Sequence, residues 1–297
     1  MDSPAITDLA VRAVSHSDSA AQPREHLRIA GILLLARREV GSVVRGPGIY
    51  VILTLASLVA AVVVRSYLDF IAGSGTLVLA DPLGSPLLFA VLTITGYLGL
   101  VAAAGLAGER ERGTLEVLFY GPVDAASFVT GKLVGYLCVY VLMAAALVGF
   151  MMLTAALTGI PLGGRTLLVL AASLLTAGSM IALGLLLGAL TGRSRVALAL
   201  TGLVIAFFAA IEVGNRVAGS QPADSLLGSA AGLLAMASEF IGWVSPFSYL
   251  WRAQDSLALG QTIDVLVALI GTVVYGLVSA GLAILVLRRR GIQKWRE

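Results

Sequence analysis

The stretch Leu133–Gly164, LVGYLCVYVLMAAALVGFMMLTAALTGIPLGG, runs for 32 residues without a single charge. A helix rises 1.5 Å per residue and the hydrocarbon core of a bilayer is about 30 Å thick, so roughly 20 apolar residues cross it. Five further uncharged runs follow the same reading: Gly48–Val64 (17 residues), Pro82–Gly108 (27), Thr166–Gly192 (27), Val196–Ile211 (16) and Val265–Leu287 (23). Lipid offers no partner for a backbone amide, and the runs lack the strict alternation of a closed barrel, which leaves helices. The expected fold is an all-α integral membrane protein with spans at about 48–67, 83–107, 133–157, 167–190, 196–213 and 264–287. The fifth, which Glu212 ends, is the shortest.

Composition agrees. Of 297 residues 58% are hydrophobic and 12% charged, with a mean hydropathy of +0.96, which excludes a cytosolic enzyme. A pI near 9.2 in a soluble domain would point to nucleic acid, but here topology accounts for it. With six spans, 16 of the 20 Lys and Arg residues fall on the face shared by the two termini. Only Arg65, Arg165, Arg216 and Arg252 lie on the other. By the positive-inside rule both termini are cytoplasmic. The stretch Ser225–Trp251 is apolar enough to suggest a seventh crossing, but Glu239 interrupts it, Pro246 breaks it, and a seventh span would send Arg288, Arg289 and Arg290 outside. It reads as outer-face or re-entrant structure, with Trp243, Tyr249 and Trp251 at the interface. The richness in Arg, Ala and Gly suggests a GC-rich bacterial source.

Residues 1–23 have no apolar core and read as a flexible cytoplasmic tail, not a signal peptide. From Arg24 to Arg45, charges flank the apolar stretch Ile29–Ala36, and Gly46-Pro47-Gly48 follows. This segment, 24–45, reads as an interfacial elbow helix on the inner leaflet, with a plain preamble to the first span as the alternative. Residues 24–297 then form one transmembrane domain.

The connection between spans two and three is Glu109-Arg110-Glu111-Arg112-Gly113-Thr114-Leu115-Glu116-Val117-Leu118-Phe119-Tyr120-Gly121-Pro122. Its alternating charges close the second span. Thr114 can cap a short helix with Leu115, Leu118 and Phe119 on its apolar side, and Gly121-Pro122 ends it. Asp124 caps the next helix, with Ala125–Lys132 as an inner extension of span three. The residues alone leave two readings open: a surface helix that receives a push from a soluble partner, or a solvated loop that anchors helix ends.

The string Glu-Arg-Glu-Arg-Gly-Thr-Leu-Glu, then Gly-Pro-Val-Asp, then Gly131-Lys132 opening a span, resembles the hallmark of type 2 ATP-binding cassette (ABC) permeases, the membrane subunits of bacterial exporters. The similarity extends to the elbow helix, the six spans and Ser245-Pro246-Phe247 before the last span. It implies that the loop 109–124 is a coupling element seated in a groove of an ATPase, with Glu109, Arg110, Glu111, Arg112, Gly113, Thr114, Leu115, Glu116 and Phe119 as its residues. It also implies Thr93, Thr95, Tyr97, Phe207 and Phe208 on the substrate path and Ser245, Pro246 and Phe247 at an outer gate. The implied partners are two soluble P-loop ATPase subunits and a second permease copy, identical or related, in the bacterial cytoplasmic membrane.

No P-loop exists in the chain: Leu133 follows Gly131-Lys132, and position 126 is Ala126, so G-x-x-x-x-G-K-[ST] fails twice. ATP and Mg are therefore expected on the partner, and no cofactor on this chain. Neither catalytic nor metal residues are expected, since His16 and His26 both precede the first span and Met143, Met151 and Met152 read as packing. Cys138 reads as a small packed hydrophobe. Gly184, Gly188 and Gly192 recur every four residues on one helix face, which suits close packing within one subunit. Charges avoid the span interiors, which points to an apolar or amphipathic cargo. The competing function is a mechanotransmitting or scaffold subunit of an ATPase complex that moves no substrate itself.

Overall fold

In a computed structural model, residues 29–74, 83–114, 124–160, 163–219 and 231–293 are described. The tail 1–23, the coupling residues Leu115, Glu116 and Phe119 and the start of the outer segment lie outside them. The elements are α1 (29–45), α2 (Pro47–Ser74), α3 (Gly84–Glu111), α4 (Ala125–Thr158), α5 (Gly164–Leu190), α6 (Ser194–Gly219), α7 (Ala231–Ile241), α8 (Pro246–Leu259) and α9 (Thr262–Gln293). Six of these, α2 to α6 and α9, are long and apolar enough to cross a membrane. The protein is an all-α membrane protein, with six candidate spans among the described residues.

Two spans form the centre. In α3 and α5 61% of the most apolar window is buried within the protein, against 17–28% in the other four, whose outer faces this chain does not cover. The central pair packs most closely of all, and its glycines explain how. A Cβ on Gly184 would strike the backbone carbonyl of Gly99, and one on Gly188 would lie 2.5 Å from that of Ala103. Without a hydrophobic drive between helices in lipid, such backbone contact supplies the packing. Gly184 and Gly188 therefore serve the interior of one subunit, while Gly192 meets nothing.

Helix ends follow local chemistry. Asp124 accepts a hydrogen bond from the Ser127 amide at 2.9 Å and starts α4. Gly159 ends α4 at φ +73°, the left-handed conformation that glycine adopts at least cost. Gly46 alone separates α1 from α2, and Pro47 opens α2, where its missing amide costs nothing. Helix α6 continues to Gly219, while its apolar span, Ser194–Glu212, closes at Glu212, whose carboxylate accepts from the Ser248 hydroxyl at 3.0 Å. The described part of the outer segment, from Ala231 on, forms two short helices with a break at 242–245, about 17 and 21 Å long, too short to cross. Trp243 is exposed, whereas Tyr249 and Trp251 turn into the protein, with Trp251 edge-on to Phe89 of α3 at 5.4 Å.

Candidate inner-face coupling site

Helix α1 docks sideways on α4 through two glycines. A Cβ on Gly131 would lie 2.9 Å from that of Leu35, and one on Gly135 would lie 2.9 Å from that of Glu39. The four-residue spacing opens a groove on α4 in which α1 buries Leu35, Ala36, Glu39 and Val43. The docking carries the Glu39 carboxylate into the protein, where Lys132 meets it at 2.5 Å. Lys132 is almost completely buried, at 1% exposure, and also lies 3.3 Å from Glu109 at the end of α3. Arg38 binds the same Glu109 oxygen at 2.5 Å from the surface side. Two carboxylates and two cations thus balance, as burial requires. Tyr136 fills the space beside them, and a Cβ on Gly105 would come within 2.7 Å of its hydroxyl.

The next residues of the motif turn to other helices. Arg110 donates to the Ala189 carbonyl at 2.8 Å, placing a cation on the carbonyl end of α5. Glu111 accepts from the Ser194 amide at 3.0 Å and its hydroxyl at 2.9 Å, placing an anion on the amide end of α6. Together they clamp the turn that joins α5 to α6. Arg112 closes α3, Gly113 turns the chain at φ +71°, and the Thr114 hydroxyl donates back to the Glu109 carbonyl at 2.8 Å. Three consecutive side chains, Glu109, Arg110 and Glu111, therefore tie α3 to α1, α4, α5 and α6. Alternating charge suits this: each successive residue on a helix points about 100° further round, toward a different neighbour with a different need.

The sequence profile of the family described as "ABC-2 family transporter protein" matches residues 83–285, more than half of the chain. The chain belongs to the ABC-2 transporter family. Comparison with curated proteins finds none that matches. As a transport permease of the ABC-2 family it is a membrane component, and the family implies an ATPase partner.

The other expected site residues are dispersed in this ABC-2 permease. Thr95 is fully buried and bonds back to the Val91 carbonyl of its own helix; Thr93 does the same to Phe89. Tyr97 lies against Gly48 of α2. Phe207 is 53% exposed on the outside of α6, while Phe208 turns inward. At the start of α8, Ser245, Pro246 and Phe247 are all buried, Phe247 against Gly96 of α3. Met143 and Met151 sit in the core and Met152 faces outward, so the three do not converge. Among the described residues no three His, Cys, Asp or Glu side chains group to hold a metal ion.

Sequence reasoning missed Glu39 and the role of Lys132. The signal was present in Gly131 and Gly135, four apart beside a lysine at the mouth of an apolar run, although nothing local indicates which carboxylate answers it.

Proposed function

We propose that this permease is the membrane half of an ATP-driven exporter of apolar or amphipathic compounds. Two copies, or this chain and a related one, pair with two soluble P-loop ATPase subunits at the bacterial cytoplasmic membrane, with both termini cytoplasmic. One observation carries the reading: Glu109, Arg110 and Glu111 bind the inner ends of four other helices, so a push on the chain just beyond Thr114 reaches five helices at once. ATP-driven closure of the ATPase pair moves the coupling loops, and the two permease halves rock as near-rigid bodies to alternate access. Uncharged span interiors suit an apolar cargo. At the far side α7 and α8, entered through Ser245-Pro246-Phe247, act as the lid. Cross-linking that lid should stop transport, and unchanged transport would remove it from the cycle.

The coupling claim is tested by Glu111→Ala, Arg112→Ala and Glu116→Ala together, in the complex reconstituted into vesicles. Glu111 then no longer caps α6 and two further charges leave the loop. ATP hydrolysis should persist while transport per ATP falls about tenfold, on the scale of typical site-to-site coupling energies. Unaltered transport per ATP would count against the coupling role.

A further inference from the structure

The sixteen uncharged residues of α6, Val196–Ile211, rise about 24 Å, short of the roughly 30 Å of hydrocarbon that a span crosses. Contacts between helices show where the shortfall lies. Ser194 bonds Glu111 at one end of the bundle, and Ile205 packs against Gly96 of α3, so α6 rises toward the opposite, far end. Along α8, Phe247 reaches Gly96 and Trp251 meets Phe89, nearer the far end of α3, so this helix climbs outward from a turn at 242–245 that dips into the bundle. Ser248, which holds Glu212, is followed by Tyr249, whose ring lies against Gly271, nine residues past the start of α9. The Glu212 carboxylate is therefore about two helical turns below the far ends of α3 and α9.

Beside it the α7–α8 hairpin and α6 enclose a cavity of about 420 Å³. Glu212, Glu239, Trp251, Arg252 and Asp255 line it, with Gly242 and Ser248 toward the turn. Within that turn Ser245 is 1% exposed, and its hydroxyl has no hydrogen-bond partner among the described residues. A polar cavity of this size, sunk below the ends of the spans, is on the scale of a small-molecule site. Its charge is one-sided. Three carboxylates line it against one guanidinium, and Arg252 is drawn aside, stacked 5.2 Å from the Trp243 ring centroid and lying where a Cβ on Gly242 would strike it. An ammonium group offers three N–H donors to carboxylates, and an indole face attracts a cation. Phe240 and Trp243, 76% and 61% exposed, suit an apolar tail.

We propose that this cavity binds the ammonium head of an amphipathic molecule, with Glu212, Glu239 and Asp255 around the nitrogen, Trp251 at its side and the tail along Phe240 and Trp243. The proposal narrows the cargo of the exporter reading to amines. Binding itself needs neither an ATPase nor a direction of transport, so its failure leaves that reading standing.

The test uses the full-length chain in phosphatidylcholine nanodiscs, read by tryptophan emission, since Trp243 and Trp251 are two of its three tryptophans. Dodecylamine, cationic at neutral pH, should change the emission saturably, and dodecanol, with the same tail, should not. Glu239→Gln with Asp255→Asn, both at exposed positions, should weaken dodecylamine binding about tenfold, the scale of one charge-assisted hydrogen bond. Arg252→Gln should tighten it, because a repelling charge leaves the cavity. Opposite signs in the two variants are a response that a loss of packing does not produce. An equal response to dodecanol, unchanged dodecylamine affinity in the double variant, or weaker binding by Arg252→Gln would each overturn the proposal. Replacing half of the lipid with phosphatidylethanolamine separates two sources of the amine: competition with dodecylamine identifies a membrane lipid, its absence identifies an exported compound, and either result upholds the ammonium site.

Discussion

Replacing Lys132 with methionine will leave little assembled protein in the membrane. Lys132 is 1% exposed, and its ammonium lies between Glu39 at 2.5 Å and Glu109 at 3.3 Å. Methionine fills much the same volume but leaves the Glu39 carboxylate buried without its cation. Breaking a buried pair from one side costs about 3–5 kcal/mol, a large part of a protein's total stability. Adding Glu39→Met should reverse most of the loss, because Arg38 and Glu109 still balance each other and an apolar pair of similar volume is well tolerated. Thermal unfolding of the detergent-solubilised variants checks this. A stable Lys132→Met protein, or a double variant no better than the single one, would show that the cluster contributes little to folding.

Gly184→Leu should be comparably damaging at the centre of the bundle. A side chain there drives directly into the Gly99 carbonyl, and backbone cannot rotate aside as a side chain does. Overpacking a core costs about 1–3 kcal/mol even where side chains can adjust, and here α3 and α5 must separate. The control is Gly192→Ala, in the same four-residue series but with no atom within 4 Å of the added group, which should change stability by less than about 0.5 kcal/mol. Expression and thermal midpoint of the pair distinguish the positions. Similar values for both would show that the close approach of Gly184 to Gly99 does not hold α3 against α5.

The number and type of the membrane helices are legible in the sequence because hydrocarbon thickness fixes the length of an uncharged run, and the six runs stand clear of their charged flanks. The cap at Asp124 and the breaks at Gly46-Pro47 and before Pro246 were equally readable, since turn and cap chemistry act over three or four residues. What the sequence hid were relations across distance. Glu39 and Lys132 lie 93 positions apart, and only the docking of α1 into the Gly131 and Gly135 groove makes them a pair. For the same reason the bond between Glu212 and Ser248, 36 residues apart, has no local sign in the sequence. The charged motif shows both sides. Its place at the end of span two follows from four charges at the end of an apolar run, whereas the destination of each charge depends on which neighbour lies 100° further round α3.

The central claim, a permease driven by a separate ATPase, is tested most directly by gentle-detergent purification of the chain from its native membrane, with identification of co-purifying proteins and assay of ATP hydrolysis. The account predicts a soluble P-loop ATPase in equal stoichiometry and an eluate that hydrolyses ATP. Recovery of the chain alone, from a preparation in which other membrane complexes survive, would contradict it and reduce Glu109-Arg110-Glu111 to a clamp that only holds the bundle together.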